Sequence, residues 1–324
     1  MQKSYQVHTM PEPDKILDVE ITTGHVLKII VEAITSTSLQ RAKIVFGLDG
    51  IKMCQADDDS VMLYDINLPK EHFRKYYTRY PIAASFNLKH LKGILKNVKK
   101  KDSINLHIDE GGECMYVTVR PNNSDTRHEK NNIVFYPLSD YDPDMPPEEA
   151  AYGQPVVTPA SDFQKIKRLI ASTNSSKQAS EITIKIQGSN YICFKSGSKL
   201  YGSEIVVGTP IAPRTDYVPE EDDLNEGYID EEYLSNDEID AIYGADTHTF
   251  ERQYQASRLG GLAKLSALCS NMKFYAPNDR RYPLRIKVDA VQNNTFLGTV
   301  QVYIKDIQQI EYERAAKERD IVAD

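Results

Sequence analysis

The chain lacks the cysteine patterns that mark stapled or metal-bound proteins. Its four cysteines (Cys54, Cys114, Cys193, Cys269) are scattered, with no CxxC pair and no Cys/His cluster, which argues against a disulfide framework and a zinc site. No apolar run approaches the roughly 18 residues of a membrane span, and Met1-Gln2-Lys3-Ser4-Tyr5 lacks an apolar signal core. A soluble, intracellular protein without membrane partners is expected. Catalytic signatures are missing too: there is no Gly-rich phosphate loop, no HExxH and no nucleophile elbow. Asp57-Asp58-Asp59 could suggest a metal site, but consecutive residues do not share a face on a strand, so these acids read as a turn. The seven histidines are scattered, His25 opening a helix and His90 lying beside a lysine stripe. No catalytic residue, metal or cofactor is expected, and the chain does not read as an enzyme.

Positive charge is scarce overall and concentrated where it occurs. The net charge is -8, yet residues 215–246 hold thirteen Asp and Glu and no Lys or Arg, and residues 138–154 hold five more acids and again no cation. Without these two segments the remaining 275 residues carry +10. The folded parts are therefore basic, with acidic connections, which suggests a surface that faces a polyanion. The densest cluster is Asn87 to Lys101, where Leu88, Leu91, Leu95 and Val98 mark a buried helix face. Lys89, Lys92, Lys96 and Lys99 repeat that spacing one residue later, about 100° around the helix.

The order of elements repeats. Leu17–Thr22 reads as a strand and Gly24–Ile34 as a helix with Leu27, Ile30 and Ile34 inward. Short strands follow at 42–48, 51–55, 61–68 and 82–86, then the lysine helix, then strands near 104–108, 115–120 and 133–136. The second half opens with a strand at 155–158 and a helix at 161–173, in which Ser161 and Gln164 have capping-box spacing and Phe163, Ile166 and Ile170 form the apolar stripe. Strands follow at 182–186, 191–194, 204–207 and 250–254. A helix over 255–269 turns Leu259, Leu262, Ser266 and Cys269 to one side, and Gly260-Gly261 within it reads as a point of close packing. Strands at 272–275, 284–288 and 298–304 complete the copy. Short strands and two helices per half indicate an α+β fold with antiparallel sheet, as two related domains or two unrelated ones. The predicted division is 1–137, a proline-rich connector at 138–154, a second domain at 155–310 and a charged tail at 311–324. Every predicted helix pairs an apolar face with cations: Lys28 on the first, Lys165, Lys167 and Arg168 on the third, Arg258 and Lys264 on the fourth.

These residues resemble the sliding-clamp family of proliferating cell nuclear antigen (PCNA). Gly50-Ile51-Lys52-Met53-Cys54-Gln55-Ala56-Asp57-Asp58-Asp59-Ser60-Val61 is similar to the segment before the family's client-binding strand. Phe86-Asn87-Leu88 and Lys101-Asp102-Ser103-Ile104 look like the bounds of its second helix, and Ser161 to Arg168 resembles its third. Tyr282-Pro283-Leu284 and Gly298 to Ile304 resemble its closing strands. The likeness is collinear from about Leu17 to Ile307.

The resemblance implies two tandem DNA-clamp domains per chain and a head-to-tail ring of three chains, with helices around a central hole and sheets outside. It implies that Lys28, Lys89, Lys92, Lys96, Lys165, Arg168, Arg258 and Lys264 face the phosphates of double-stranded DNA without reading sequence. Gly93 takes a place where the family often carries another cation. It implies a subunit interface pairing Met115, Tyr116, Val117 and Val119 of one chain with Glu204, Ile205 and Val206 of the next. Client proteins, DNA polymerase among them, would insert short clamp-binding motifs into a pocket formed by Ala56, Val61, Leu63, Met145, Pro146, Pro283 and Tyr303. Two departures bear on client preference: an acidic, proline-rich linker, and Lys305-Asp306 where the family commonly has Ala-Pro.

The expected function is thus a homotrimeric processivity factor, placed on DNA by a clamp loader and serving as a docking platform for replication and repair proteins. The alternatives are a clamp-fold factor acting as monomer or dimer, or a protein interaction scaffold without ring closure. Residues 215–246 look like an insertion in a loop that is short in typical clamps, read either as a solvating loop or as a docking or masking segment. The divergence and this insertion suggest a large DNA virus as the source. A nuclear location, or a cytoplasmic viral replication site, would follow.

Overall fold

The computed structural model describes residues 14–122, 127–173, 181–198, 201–210 and 249–323. The acidic stretch 215–246 lies outside them. The first half runs β1 (Lys15–Ile21), α1 (Gly24–Ile34), β2 (Arg41–Gly47), β3 (Gly50–Ala56), β4 (Met62–Pro69), β5 (Lys75–Thr78), β6 (Ile82–Asn87), α2 (Leu88–Leu95), β7 (Ser103–Asp109), β8 (Cys114–Arg120) and β9 (Glu129–Pro137). The second runs β10 (Val156–Pro159), α3 (Ala160–Gln164), α4 (Ile166–Thr173), β11 (Glu181–Gln187), β12 (Tyr191–Ser198), β13 (Tyr201–Val207), β14 (Thr249–Gln255), α5 (Ala256–Leu262), β15 (Asn271–Tyr275), β16 (Leu284–Gln292), β17 (Thr295–Ile304) and α6 (Ile307–Ala323).

Thirteen strands form one antiparallel sheet in the order β10-β15-β16-β17-β4-β3-β2-β6-β9-β8-β7-β1-β5, and β13-β12-β11-β14 form a second. The halves are joined inside the first sheet, where β17 pairs with β4 from Thr299↔Asn67 to Ile304↔Met62. Alternation sets the faces: Leu284, Ile286, Val288 and Ala290 of β16 all point inward. Phe163, Phe194 and Phe274 meet with ring centroids 5.3 to 5.8 Å apart. They lock α3, β12 and β15 together, each ring contributing about 1.5–3 kcal/mol by burial.

Strand β1 is covered on both sides and carries Asp18 into the core. The carboxylate is satisfied there by Lys75 Nζ at 2.6 Å and Asn105 Nδ2 at 2.8 Å. Burial would raise its pKa, but these hydrogen bonds and the charges of Lys75 and Lys15 outweigh it and hold it below the ordinary value.

Several helix boundaries differ from expectation. The lysine helix stops at Leu95; Val98 reaches the core through a turn, its N–H donating to Leu95 O, and Lys99 lies beyond the helix. The helix expected at 161–173 is two helices meeting at Lys165, and Ser161 makes no capping bond because Pro159 occupies the N-cap position. Gln255–Cys269 contains the shorter α5 and a 3-10 turn at Leu265–Leu268. In α1 the buried face is wider than predicted: Val26, Ile29, Val31 and Ala33 join Ile30 and Ile34, while Leu27 is half-buried. That width follows from its position, packed against β7, α2 and α5 at once.

Candidate nucleic-acid interface

The helices stand in one row. α1 packs on α2 and α5, and α5 packs on α4, so the order is α2-α1-α5-α4. Gly260 and Gly261 make the centre of that row possible: a Cβ on Gly261 would collide with Ser36 Oγ just past α1, and one on Gly260 would press on Ile170 of α4. A larger residue at 261 would press on the first half, and one at 260 on α4 of the same half.

The outer face of the row collects cations from both halves. Lys89, Lys96, Lys165, Lys167 and Arg168 are exposed and Lys92 is half-exposed. Lys89, Lys92, Lys96, Lys167 and Arg168 have no ion-pair partner among the described residues, whereas Lys165 Nζ meets Asp162 Oδ1 at 2.5 Å. Lys264 stands where the halves meet. Its ammonium reaches Glu32 O at 3.3 Å, and its pKa is lowered by burial first, then by the charges of Lys92 and Lys167 against the opposing pull of Glu32. Cations from α2, α4 and the end of α5 thus share one electrostatic neighbourhood. Asn87 starts the lysine helix by accepting the His90 N–H at 3.0 Å. Gly93 opens onto free space on the same face.

Two expected members of this face serve the fold instead. Lys28 Nζ binds Lys96 O at 2.6 Å and Val98 O at 3.1 Å, putting its charge at the carbonyl end of α2, where the helix dipole favours a cation. Arg258 points away from the row into the first half. Its Nη1 meets Asp57 Oδ2 at 2.8 Å, its Nη2 binds Asp59 Oδ2, and its side chain is only 13% exposed. Asp57 also accepts the Val61 and Met62 N–H groups at 2.8 and 2.9 Å. The aspartate triplet is therefore a turn, as expected from sequence, and the arginine pins α5 to it.

The sheet edges correct the predicted subunit contact on one side. β8 is paired with β7 and with β9, and Met115, Val117 and Val119 are buried in the core. Tyr116 is half-buried, stacked on His107 at 4.8 Å and covered by Lys130 at 4.4 Å. With both ladders of β8 occupied, these residues have no backbone left for another chain. Among the described residues the open edge belongs to β9, which pairs with β8 through Glu129–Val134 but with β6 only through Phe135–Pro137. β13 ends the second sheet, with Ile205 half-buried on the core and Glu204 and Val206 exposed. Val134 and Val206, 53% and 45% exposed, are the exposed valines on these two strands.

The connector runs across the sheet at β3. Tyr141 donates its hydroxyl to Cys54 O at 2.9 Å, and Asp144 Oδ2 accepts the Ala56 N–H at 2.7 Å. Farther on, Glu149 holds Arg285 through two bonds of 2.5 Å. Arg285 is itself buried against the Tyr275 and Tyr152 rings. Tyr152 closes the connector with a hydroxyl bond to Pro283 O at 3.0 Å. The Cys54 thiol is pushed up to about 12 by burial and by the charges of Asp65 and Asp144.

Residues 16–139 match the family described as "Proliferating cell nuclear antigen, N-terminal domain". The DNA polymerase sliding clamp of Nitrosopumilus maritimus is 30% identical over 140 residues, 43% of this chain and 52% of that protein. Proliferating cell nuclear antigen of Saccharomyces cerevisiae is 26% identical over 129 residues, 40% of this chain and 48% of the yeast protein. The chain thus spans about half the length of these relatives. In fold it superposes on the crystal structure of proliferating cellular nuclear antigen from Entamoeba histolytica with a TM-score of 0.64 at 13% identity, over 90% of this chain and 99% of that one. Residues 16–139 thus resemble the N-terminal domain of this family, and the chain as a whole is PCNA-like in fold. Its α+β fold of antiparallel sheets with few helices is the one expected from sequence.

In this PCNA-like frame the residues expected to receive clients divide. Met145 is 88% exposed and Pro146 half-buried, Ala56, Leu63 and Pro283 are half-buried, and Val61 and Tyr303 are buried, the last 6.1 Å from the Tyr152 ring. The Lys305-Asp306 departure has a structural reason. Asp306 starts α6 by accepting the Gln309 N–H at 2.8 Å, while Gln309 Oε1 accepts the Asp306 N–H at 3.1 Å. This reciprocal cap is held by Arg252 at 2.6 Å and gives the tail a helix packed on β14.

Proposed function

We propose that the protein is a DNA sliding clamp: a ring of three chains that encloses double-stranded DNA, is placed there by a loader, and tethers DNA polymerase and other replication and repair proteins through short motifs. The observation that carries this reading is the helix row, in which two halves of one chain contribute cations to a single outer face. Such a face suits phosphates and reads no sequence. It holds weakly enough to slide, and ring closure supplies the retention that loose contacts do not. The open edges of β9 and β13 support closure, because an exposed ladder in one copy can be covered head to tail by the next. The role is non-enzymatic. A nuclear or viral replication site remains part of the proposal, as does a viral source.

The test combines light-scattering mass with polymerase stimulation on circular DNA and on short, open linear DNA. Three chains per particle and stimulation confined to the circle are expected. A monomer or dimer that stimulates equally on both templates would overturn ring closure, and a particle that stimulates on neither would leave only a protein scaffold.

A further inference from the structure

The β2–β3 hairpin opens before its strands end. Its ladder runs only from Gly47↔Gly50 to Val45↔Lys52, although β3 stays paired with β4 through Ala56↔Leu63. Between the parted strands lies a cavity of about 610 Å³ lined by polar residues, among them Arg41, Lys43, Asp58 and Asp144. Gln55 props the gap from within, its side-chain carbonyl accepting the Lys43 N–H at 2.9 Å and its NH₂ donating to Arg41 O at 3.1 Å. On the β3 side, the ladder groups that face the gap are held by connector side chains. Tyr141 supplies a donor to Cys54 O, and Asp144 an acceptor to Ala56 N.

A hydroxyl and a carboxylate here do what a neighbouring strand does with its N–H and C=O. One residue of a parallel strand bonds a carbonyl at one position and an N–H two positions further on, which is the relation between Cys54 O and Ala56 N. We propose that this gap is a strand-addition site for an extended acidic peptide of a client protein, and that Tyr141 and Asp144 are its resting occupants. Charge selects the partner. When Asp144 leaves, Arg41, Lys43 and Asp58 remain on the wall, a net positive lining. Lys43 also sits 5.7 Å from the Tyr141 ring and Arg41 4.2 Å from the Tyr136 ring, so an aromatic residue flanking the acid finds a cationic neighbour. The site depends on neither DNA binding nor ring closure.

The test uses the full chain and a fluorescein-labelled peptide of its own connector, residues 139–147. Tyr141→Phe with Asp144→Ala frees both backbone groups while keeping the aromatic ring at 141 and the wall of Arg41, Lys43 and Asp58. The peptide should bind this variant about ten-fold more tightly than the unaltered protein, the gain expected when a latch closed about nine-tenths of the time is removed. The Ala56 amide resonance should move with it, and Lys43→Glu in the same background should abolish binding. Asp144→Ala alone, a change at an exposed side chain, should already give part of the gain. Equal affinity for variant and unaltered protein, no binding to either, or equal binding of a scrambled peptide of the same composition each overturns the proposal.

Discussion

Replacing Arg258 with alanine separates a structural arginine from a DNA-binding one. The contact has two unequal arms. Asp59 is 52% exposed, and a solvated arm of that kind is worth about 0–1 kcal/mol. The Asp57 side chain is 0% exposed, and removing one partner of a buried pair costs about 3–5 kcal/mol because the other charge is stranded. Asp57 keeps two backbone donors, from Val61 and Met62, which places the loss at the low end, about 3 kcal/mol. With an m-value near 3 kcal/mol/M, the urea midpoint should fall by about 1 M. Far-UV circular dichroism is the suitable probe, since the chain contains no tryptophan. DNA affinity of the folded variant, and its dependence on salt, should be unchanged. A midpoint shift below about 0.3 M, or a flatter salt dependence, would refute the assignment of Arg258 to the joint between the halves.

Lys92→Glu with Lys96→Glu should weaken DNA binding with little change in the urea midpoint, and the plot of log affinity against log salt should flatten by roughly 1–2; unchanged binding at moderate salt removes the helix row from the interface. Val134→Asp or Val206→Asp should yield smaller particles by light scattering with an intact circular dichroism spectrum, and persistence of the full-size particle would rule out these edges as the seam. Asp18 has a depressed folded pKa, so its contribution to stability is present above the ordinary carboxylate value and disappears as pH falls through the lower folded one. Asp18→Asn should therefore be less stable at neutral pH and lose less stability as the pH falls below the ordinary carboxylate value of about 4. Equal acid limbs in urea titrations would contradict this.

Element order, the core stripes and the close packing at Gly260-Gly261 were legible from sequence because they follow local periodicity. Contacts that join distant residues were not. Nothing local distinguishes Arg258, which serves Asp57 201 positions away, from Lys264, which faces outward near Lys92. Lys28 looked like one more member of the stripe because its targets are backbone carbonyls on another helix. The edge strand was misplaced for a related reason: β9 begins with Glu129-Lys130-Asn131-Asn132, a polar run that reads as loop, whereas Met115 to Val119 reads as a strong strand because it lies inside the sheet. β5, only Lys75–Thr78, was too short to register although Tyr76, Tyr77 and Thr78 favour a strand.

The β4–β17 pairing ties the two halves together against proteolysis or truncation. The last strand before the tail completes the sheet begun by the first half. A fragment ending in the connector would therefore bare the β4 backbone from Met62 to Asn67, together with Tyr64 and Ile66, now buried. Such a fragment is a sticky intermediate more than a domain. During synthesis the first half must wait for residues near 300 before its sheet is sealed, so the connector that divides the sequence does not divide its folding.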